Sequence, residues 1–267
     1  MAREENGKGP SEAGCALVTG AGRGIGASIA EGLAADGWAV AVNYSSDEAG
    51  ASSVVERITE AGGRALAVQA DVADFSAVDA MFERVEEELG KVLVLVNNAG
   101  IRHDRLIGGL DPENWQRVLD VNLGGTYNTI HRGVGSMVRN RWGRIVNVST
   151  ISAQMPLPGQ ASYAASKAGV EALTRTVSIE VARRGVTVNA IAPGLVDTDF
   201  IPAAAEQATA GIPARRMADA SEIADCVRFL ASEQAGYVTG ALLRIDGGLT
   251  AGIPIPGRPA KAAAASS

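Results

Sequence analysis

With 267 residues, of which 46% are hydrophobic and only 4% aromatic, the chain can form one large α/β domain or two small ones, with a core of small aliphatic side chains. Its formal net charge of −6 argues against nucleic acid or an anionic membrane as the main partner. No apolar run reaches the roughly 18 residues that span a bilayer, and the polar N-terminus has no signal-peptide core, so the sequence predicts a soluble, cytoplasmic protein.

Short apolar runs alternate with amphipathic stretches between a polar N-terminal segment, residues 1–13, and a Pro- and Ala-rich end, residues 254–267. We expect the first to be disordered and the second to form a flexible tail. Seven apolar runs predict strands: Ala16–Thr19, Ala39–Val42, Ala65–Val68, Val92–Val96, Arg144–Val148, Val186–Ile191 and Leu242–Ile245. Helices are predicted for most of the stretches between them, among them Ile25–Gly37, Glu48–Ala61, Ser76–Leu89, Tyr163–Arg184 and Ser221–Ala231.

The alternation of strands and helices predicts the fold class. Strands that are buried on both faces read as continuous apolar runs, as Val92–Val96 does. Seven such strands separated by helices predict an α/β fold of the Rossmann type, a doubly wound parallel sheet of about seven strands with helices on both faces. Because no linker interrupts the series, we expect a single domain over residues 14–253.

A glycine-rich loop, Thr19 to Gly26, follows the first predicted strand and precedes the first predicted helix. Glycine lets the backbone turn sharply and approach a pyrophosphate, and the helix N-terminus behind it offers free N–H groups. The glycine spacing, Gly20-x3-Gly24-x-Gly26, is not the G-x-G-x-x-G fingerprint, and no Gly-Lys-Ser/Thr follows as in an ATP-binding loop. The loop therefore favours a dinucleotide over ATP, and an ordinary glycine-rich turn is the alternative.

The end of the second predicted strand distinguishes NADH from NADPH. NADH-binding folds of this kind place a carboxylate about 20 residues after the loop, on the ribose 2′-hydroxyl. Here Asn43, Tyr44 and Ser45 end the strand instead, and Arg23 lies inside the glycine loop. Asn43, Ser45 and Arg23 can bond a 2′-phosphate that a carboxylate would repel, so the sequence favours NADPH.

Tyr163 and Lys167 occupy positions i and i+4 of a predicted helix, and hence one face of it. A free tyrosine has a pKa near 10, and a nearby ammonium group favours the phenolate. Lys167 is therefore predicted to lower the pKa of Tyr163 and to make it a better acid and base. Because the same spacing is common in exposed helical pairs, only its context gives it meaning.

That context resembles the classical short-chain dehydrogenase/reductase family over nearly the whole chain, from Ala13 to about Gly248. The matching motifs occur in the family's order: Thr19 to Gly26, Asp71-Val72, Asn97-Asn98-Ala99-Gly100, Asn122, Tyr163-x3-Lys167, Pro193-Gly194 and Thr198. The resemblance implies an oxidoreductase that reduces a carbonyl group, with Tyr163 as the proton donor and a nicotinamide cofactor as the source of hydride.

The resemblance also implies roles for the matching residues. Lys167 would hold the nicotinamide ribose and support Tyr163, Asn122 would anchor a water that relays protons, and Asp71 would contact adenine. Together with Arg23, Asn43, Tyr44 and Ser45, the predicted cofactor-binding residues are Gly20, Gly24, Ile25, Gly26, Asp71, Val72, Asn98, Ala99, Gly100, Tyr163, Lys167, Pro193, Gly194, Val196 and Thr198.

The residue that orients the substrate departs from the family's pattern. The family has a serine thirteen residues before the tyrosine, and here that position is Thr150, with Ser149 just ahead of it. A threonine hydroxyl can also donate to a carbonyl oxygen, although its methyl group would crowd the site. We predict Thr150, with a one-residue shift to Ser149 as the alternative. The predicted catalytic residues are thus Asn122, Thr150, Tyr163 and Lys167.

Among family members, the chain is most similar to 3-oxoacyl-[acyl-carrier-protein] reductases and polyketide ketoreductases, through Asn97 to Asp104, Gly159 to Gly169 and Tyr237 to Gly248. This similarity implies NADPH-dependent reduction of a 3-oxoacyl thioester in fatty-acid or polyketide synthesis. Because the carrier protein is acidic, we expect a basic patch near the active-site mouth. Arg141 and Arg184 match carrier-docking positions, although arginines there can also serve helix dipoles.

Two other functions stay open: an NAD(P)-dependent dehydrogenase of a free secondary alcohol or sugar, and a nucleotide-sensing binding protein without activity. The family resemblance implies a homotetramer, and the Ala- and Pro-rich stretch Phe200–Arg216 is predicted to form a mobile lid. No metal site is expected, because neither the two cysteines, Cys15 and Cys226, nor the two histidines, His103 and His131, match a metal-ligand spacing.

Overall fold

The seven predicted strands are confirmed by the computed structural model, which describes residues 14–198 and 209–252. The strands are Cys15–Val18 (β1), Ala39–Tyr44 (β2), Ala65–Gln69 (β3), Val92–Asn97 (β4), Gly143–Val148 (β5), Val186–Pro193 (β6) and Leu242–Ile245 (β7). They pair in parallel in one sheet of order β3-β2-β1-β4-β5-β6-β7. The predicted α/β fold, a single-domain doubly wound sheet, is therefore confirmed.

Within the described residues, the α-helices are Gly24–Ala35 (α1), Glu48–Glu60 (α2), Phe75–Leu89 (α3), Pro112–Leu119 (α4), Gly125–Asn140 (α5), Ala161–Val181 (α6) and Ala220–Ala231 (α7). Five of them match predicted helices to within three residues at each end, and a 3₁₀ turn continues α6 through Arg184. The sequence pattern did not delimit α4 and α5. They are joined by a π-helical turn, Asp120–Gly124, and turns of this kind are frequent at functional sites.

Acidic side chains fix the first turns of several helices. Asp47 and Asp74 accept backbone N–H groups at the starts of α2 and α3, at 3.0 and 2.8 Å. Asp219 and Glu222 form a reciprocal capping box at the start of α7. These bonds satisfy N–H groups that have no partner inside the helix, and the carboxylates complement the helix dipole.

Two hydrophobic layers cover the sheet, one on each face. The helices α1, α2 and α7 pack on one face, and α3, α5 and α6 pack on the other. The first layer includes Ile29, Leu33, Val54, Ile58, Val227 and Leu230, and the second includes Val78, Phe82, Ile130, Met137, Val177 and Val181. Aliphatic side chains dominate both layers, as the composition requires.

The strand order reverses between β1 and β4. The chain leaves β1 toward one face of the sheet and leaves β4 toward the other, so a crevice opens at the carboxyl edge between them. Ligands of open α/β sheets bind at such a switch point. The fold therefore predicts a ligand site among the loops that follow β1, β4 and β5.

Three predictions fall wholly or partly outside the described residues: the disorder of residues 1–13, the tail at residues 254–267, and residues 200–208 of the lid stretch. Of the helices that are described, none is long and apolar enough to cross a membrane.

A buried polar network connects α5 to α6, which pack on the same face of the sheet, through side chains of β4 and β5. Thr129 donates to Asn97 Oδ1 (2.6 Å), Asn97 Nδ2 donates to Asn147 Oδ1 (2.8 Å), and Asn147 Nδ2 donates to Thr174 Oγ1 (2.8 Å). Asn97 and Asn147 are register partners on β4 and β5. Because an unsatisfied amide is costly in a dry interior, the network fixes how α6 sits on the sheet.

We expect Thr174→Val to lower the free energy of unfolding by about 1–3 kcal/mol, because it leaves the Asn147 amide without an acceptor. The matched control is Thr176→Val, an exposed threonine on the same helix, which should change stability by less than about 0.5 kcal/mol. Urea denaturation of both variants measures the difference. Equal losses would contradict the role of the network.

Candidate active site

The glycine-rich loop lies at the switch point and packs against the loop that follows β4. A Cβ at Gly20, whose φ is +60°, would lie 2.9 Å from the Cα of Ala99, and a Cβ at Gly26 would lie 2.4 Å from the carbonyl oxygen of Gly20. Asn98 Nδ2 donates to the carbonyl oxygens of Thr19 and Gly20 at 3.0 and 2.9 Å. Glycine is therefore required at both positions, and α1 begins between them, at Gly24. This arrangement can hold a pyrophosphate.

The predicted contact between the Asn43 side chain and a 2′-phosphate is contradicted by the burial of Asn43, which is 1% exposed. Its Nδ2 donates to the carbonyl oxygens of Tyr44, Val68 and Ala70 at 3.1–3.3 Å, and its Oδ1 accepts the N–H of Gly20 at 3.2 Å. The side chain thus ties β2 to β3 and to the glycine loop. The sequence shows that a polar residue ends the strand, but it does not show whether the side chain points into the crevice or into the sheet.

Arg23 and Ser45 are both exposed, and Tyr44 is half-buried. The loop at Gly22 packs on the first turn of α2, since a Cβ at Gly22 would lie 3.3 Å from the N of Ala51. Asp47, the first carboxylate after β2, bonds the N–H of Gly50 and so serves as the cap of α2. The tip of β2 therefore presents no free carboxylate ahead of this cap, and Arg23 and Ser45 stay candidates for a 2′-phosphate.

Asp71 follows β3 and faces Arg117 of α4, a residue that the sequence did not identify. Its Oδ1 accepts the N–H of Ala73 at 3.0 Å, and its Oδ2 forms an ion pair with Arg117 at 2.7 Å. Burial raises the pKa of Asp71, but these two contacts outweigh that effect and hold the pKa below its usual value. The carboxylate is therefore charged at neutral pH and positioned at the carboxyl edge of β3.

Asn122 lies in the π-helical turn and is fully buried. Its Oδ1 accepts the N–H of Ile101 (2.8 Å), while its Nδ2 donates to the carbonyl oxygen of Ile101 (2.9 Å) and to Ser166 Oγ (3.0 Å). A Cβ at Gly100 would lie 3.3 Å from both Asn122 Oδ1 and Lys167 Nζ. The turn, the loop after β4 and the helix α6 therefore meet at this point.

Lys167 is buried, and its Nζ donates to the carbonyl oxygen of Val148 at the end of β5, at 2.7 Å. Burial disfavours the ammonium form and lowers the pKa of Lys167 to about 8. The lysine consequently keeps a proton at neutral pH but can exchange it readily.

The pKa of Tyr163 is raised above its usual value, mainly by burial. A hydrogen bond from the Thr150 hydroxyl and the charge of Arg102 lower it, and the charge of Asp104 raises it. The predicted lowering of the Tyr163 pKa is therefore not observed, because desolvation outweighs the groups that favour the phenolate, among them Arg102. Arg102 and Asp104 form a longer ion pair at 3.7 Å, and the sequence did not single out Arg102.

Thr150 and Ser149 point to different partners. The Thr150 hydroxyl accepts the N–H of Ser152 at 3.2 Å and bonds the side chain of Tyr163. The Ser149 hydroxyl is 3% exposed and donates to Glu171 Oε1 at 2.8 Å. The geometry therefore brings Thr150, and not Ser149, to the phenol.

The loop after β6 closes the other side of the crevice. Gly194 is bonded to the end of β7, since its N–H donates to the carbonyl oxygen of Ile245 at 2.9 Å. Val196 forms an isolated parallel bridge with Ala218. A Cβ at Gly24 would lie 3.4 Å from the Cγ2 of Thr198, so this loop approaches the glycine loop directly. The predicted cofactor-binding residues of this loop thus face the glycine loop that is predicted to bind the pyrophosphate.

Arg141 and Arg184 line one cavity of about 420 Å³ together with Glu180 and Arg183. The cavity lies where α5 and α6 end and β5 and β6 begin, which is the amino edge of the sheet. Arg184 follows Tyr163 by 21 positions, or about 30 Å along the helix axis. The expectation of a basic patch near the active-site mouth of the same chain is therefore wrong for these arginines, because the direction of α6 carries them to the opposite edge.

No group of His, Cys, Asp or Glu residues in the described ranges, 14–198 and 209–252, could hold a metal ion.

Comparison with known proteins defines the class. A family model described as enoyl-(acyl carrier protein) reductase matches residues 20–250, and the chain belongs to the short-chain dehydrogenase/reductase family. The 3-oxoacyl-[acyl-carrier-protein] reductase FabG of Staphylococcus aureus (strain Mu50) is 44% identical over 238 residues, which cover 88% of this chain and 97% of the relative. A 3-oxoacyl-[acyl-carrier-protein] reductase of Synechocystis sp. is 44% identical over 236 residues, covering 88% and 96%.

Among solved structures, a crystal structure named as a "putative gluconate dehydrogenase" from Agrobacterium tumefaciens matches with a TM-score of 0.84. It is 33% identical, and the match covers 88% of this chain and 95% of that one. The fold is therefore shared by relatives whose names imply different substrates.

The lowered pKa of Lys167 predicts a pH dependence of stability. The unfolded chain holds this proton up to about pH 10.5 and the folded chain loses it near pH 8, so between these values the unfolded state binds more protons and stability rises with pH. Relative to Lys167→Met, the unfolding free energy of the wild type should rise by about 2–3 kcal/mol between about pH 7 and pH 10. Urea denaturation measures it, with Lys91→Met as the control for an exposed lysine. A constant difference between wild type and Lys167→Met would contradict the shift.

Proposed function

We propose that the protein is an NADPH-dependent 3-oxoacyl-[acyl-carrier-protein] reductase, which converts a 3-oxoacyl thioester into the 3-hydroxyacyl form in fatty-acid or polyketide synthesis. The observation that carries the proposal is the bond from the Thr150 hydroxyl to the phenol of Tyr163, next to the buried Lys167. Two relatives named as 3-oxoacyl-[acyl-carrier-protein] reductases support the substrate class, because their 44% identity extends over nearly their whole length.

Tyr163 acts as the general acid in this proposal. Reduction of a ketone adds a hydride to the carbonyl carbon and a proton to the oxygen, and a bound nicotinamide supplies the hydride. The phenol O–H bond breaks as the O–H bond of the alcohol forms. The raised pKa of Tyr163 is compatible with this role, because the phenol then carries the proton that it donates.

Thr150, Lys167 and Asn122 support the transfer. The Thr150 hydroxyl orients the carbonyl oxygen toward the phenol, while Lys167 returns a proton to Tyr163 and holds the ribose hydroxyls. An ammonium group has three donors, so its bond to the carbonyl oxygen of Val148 is compatible with further bonds to a ribose. Asn122, fixed by its paired bonds to Ile101, anchors the water that leads protons to Lys167.

The crevice fits a dinucleotide. The loop at Gly20 and Gly26 approaches so closely to its neighbours that a side chain would fill the space, and α1 turns its N-terminus to the same place. Arg23 is exposed within this loop, so a 2′-phosphate could bind this cation, whereas NADH-binding folds present a carboxylate to the ribose. The glycine loop thus supports a dinucleotide and Arg23 supports NADPH, with Asp71 toward the adenine.

A dehydrogenase of a free alcohol or sugar is the second candidate, and the match to the structure named for gluconate favours it. The two candidates differ in the direction of proton flow, because oxidation needs the phenolate of Tyr163. The 44% identity to a relative named as a 3-oxoacyl-[acyl-carrier-protein] reductase, against 33% to the structure named for gluconate, favours the first candidate. A nucleotide-sensing protein without activity is disfavoured, because such a protein has no need of Asn122, Tyr163 and Lys167 together.

A steady-state assay against 3-oxoacyl thioesters, gluconate and simple secondary alcohols, with NADPH and NADH, tests the proposal. We expect turnover of the thioester with NADPH, little with NADH, and a loss of at least about 100-fold in kcat for Tyr163→Phe. Unchanged turnover by Tyr163→Phe would remove the catalytic assignment. Equal Kd values for NADPH and NADH would contradict the assignment of NADPH as the cofactor. Oxidation of gluconate without reduction of the thioester would favour the second candidate.

The acyl group is proposed to arrive on an acidic carrier protein that docks at Arg141 and Arg184. Because these arginines lie at the amino edge, about 30 Å from Tyr163 along α6, the docked carrier would serve the active site of a neighbouring subunit. A homotetramer, as the family resemblance implies, would supply that neighbour. A cytoplasmic location is proposed with it.

Charge reversal at the docking site should separate carrier binding from chemistry. For the double variant Arg141→Glu and Arg184→Glu we expect the KM for the carrier-bound substrate to rise at least about tenfold, with little change for the same acyl group on a small uncharged thiol. Arg84→Glu, an exposed arginine on α3, is the matched control. Equal effects on both substrates would show that these arginines do not dock the carrier.

A further inference from the structure

Glu171 is a buried carboxylate for which the proposed reaction has no use. It lies on α6 one turn after Lys167 and is only 8% exposed. None of the ion pairs found in residues 14–198 and 209–252 includes it. Burying a carboxylate without a cation costs free energy unless hydrogen bonds compensate. The bonds that Glu171 accepts are therefore the place to look for its role.

Two side chains donate to the same oxygen of Glu171. Ser149 Oγ lies 2.8 Å from Glu171 Oε1, and Gln154 Nε2 lies 3.2 Å from it. Ser149 directly follows β5, and Gln154 ends the 3₁₀ turn Ile151–Ala153. The carboxylate consequently bonds both ends of one short segment, residues 149–154.

Thr150 is the second residue of this segment. Its position inside the segment is set by local bonds, since its hydroxyl accepts the N–H of Ser152 and its carbonyl oxygen accepts the N–H of Ala153. The segment as a whole is connected to α6 through Glu171, while α6 carries Tyr163 and Lys167. The distance between the Thr150 hydroxyl and the Tyr163 phenol therefore depends on how the segment is held against α6.

We propose that Glu171 is a positioning residue, whose carboxylate holds residues 149–154 against α6 and so places the Thr150 hydroxyl at the phenol of Tyr163. The inference rests on the proposed reductase function for its kinetic consequences. A misplacement of about 1 Å at a reacting group can cost on the order of 100-fold in rate. The proposed role of Glu171 also gives Ser149 a function that differs from that of Thr150, because the Ser149 hydroxyl donates to Glu171.

Two substitutions at Glu171 separate hydrogen bonding from charge. Glu171→Gln keeps a carbonyl oxygen that accepts both bonds, and we expect kcat/KM within about threefold of the wild type. Glu171→Leu keeps the volume but removes the acceptor, and we expect kcat/KM to fall about 10- to 100-fold, with the Kd for NADPH within about twofold. A Glu171→Leu enzyme that binds NADPH normally and reduces substrate as fast as the wild type would overturn the proposal.

A double-mutant cycle with Thr150→Ala distinguishes positioning from general destabilisation. If Glu171 acts through Thr150, Glu171→Leu should cost less than about threefold once Thr150 is already alanine. If Glu171 only stabilises the fold, the two losses should multiply, and the proposal fails. Glu83→Leu, which removes an exposed carboxylate from α3, controls for the change in net charge.

A crystal structure of Glu171→Leu tests the inference without any substrate. We expect residues 149–154 to move relative to α6 and the Thr150 hydroxyl to lose its bond to Tyr163. Retention of that bond would refute the positioning role, whatever the enzyme reduces. Absence of thioester reduction by the wild type would instead refute the proposed function, and the structural comparison would still decide the role of Glu171.

Discussion

Asn98 donates its side-chain amide to two carbonyl oxygens of the glycine loop, and Thr19 accepts the N–H groups of Asn98 and Ala99 in return. This reciprocal contact joins the loops that follow β1 and β4, where the strand order reverses. The contact holds these two loops together at the mouth of the crevice, although the helices that follow them pack on opposite faces of the sheet. Beside this contact Gly20 approaches Ala99 closely, because glycine has no Cβ, and the N-terminus of α1 points to the same place, where a pyrophosphate fits.

The catalytic half of the site depends on a second set of contacts, between the end of β5 and α6. Asn147 bonds Thr174, the Val148 carbonyl oxygen accepts from Lys167, and Ser149 bonds Glu171. Three successive residues of one strand end thus contact three side chains along one helix. Such a ladder restricts both the rotation and the sliding of α6, so Tyr163 and Lys167 keep a fixed position relative to Thr150.

The fold could be predicted from the sequence because its signals are local. Continuous apolar runs such as that of β4 identify buried strands, and the order of strands and helices then leaves few topologies. The helix α5 was harder to recognise, since Thr126, Asn128 and Thr129 are polar yet buried, so its buried face is not a continuous apolar stripe. Burial of polar residues is decided by partners far along the chain, such as Asn97 for Thr129.

In the site, too, local spacing could be predicted from the sequence, whereas contacts between distant residues could not. The spacing of Tyr163 and Lys167 predicted that both would lie on one face, but the direction in which Asn43 and Ser149 point is set by tertiary contacts that no local pattern records. The sequence did not predict three residues of the site, because each acts through a residue on another element: Arg117, Arg102 and Glu171. Arg141 and Arg184 match carrier-docking positions of the similar reductases, yet their location at the amino edge follows only from the course of α5 and α6.

Burial acts on both catalytic groups in the same chemical sense, against charge. It raises the pKa of Tyr163 and lowers that of Lys167 to about 8. At neutral pH the phenol therefore keeps its proton, which is the form that carbonyl reduction consumes, while the lysine can lose and regain its proton at small cost. The hydrogen bond from Thr150 and the charge of Arg102 oppose burial at the phenol, which eases the departure of the proton once the carbonyl oxygen can accept it. Burial thus keeps the proton on the phenol, while Thr150 and Arg102 beside it favour the phenolate that forms when the proton leaves.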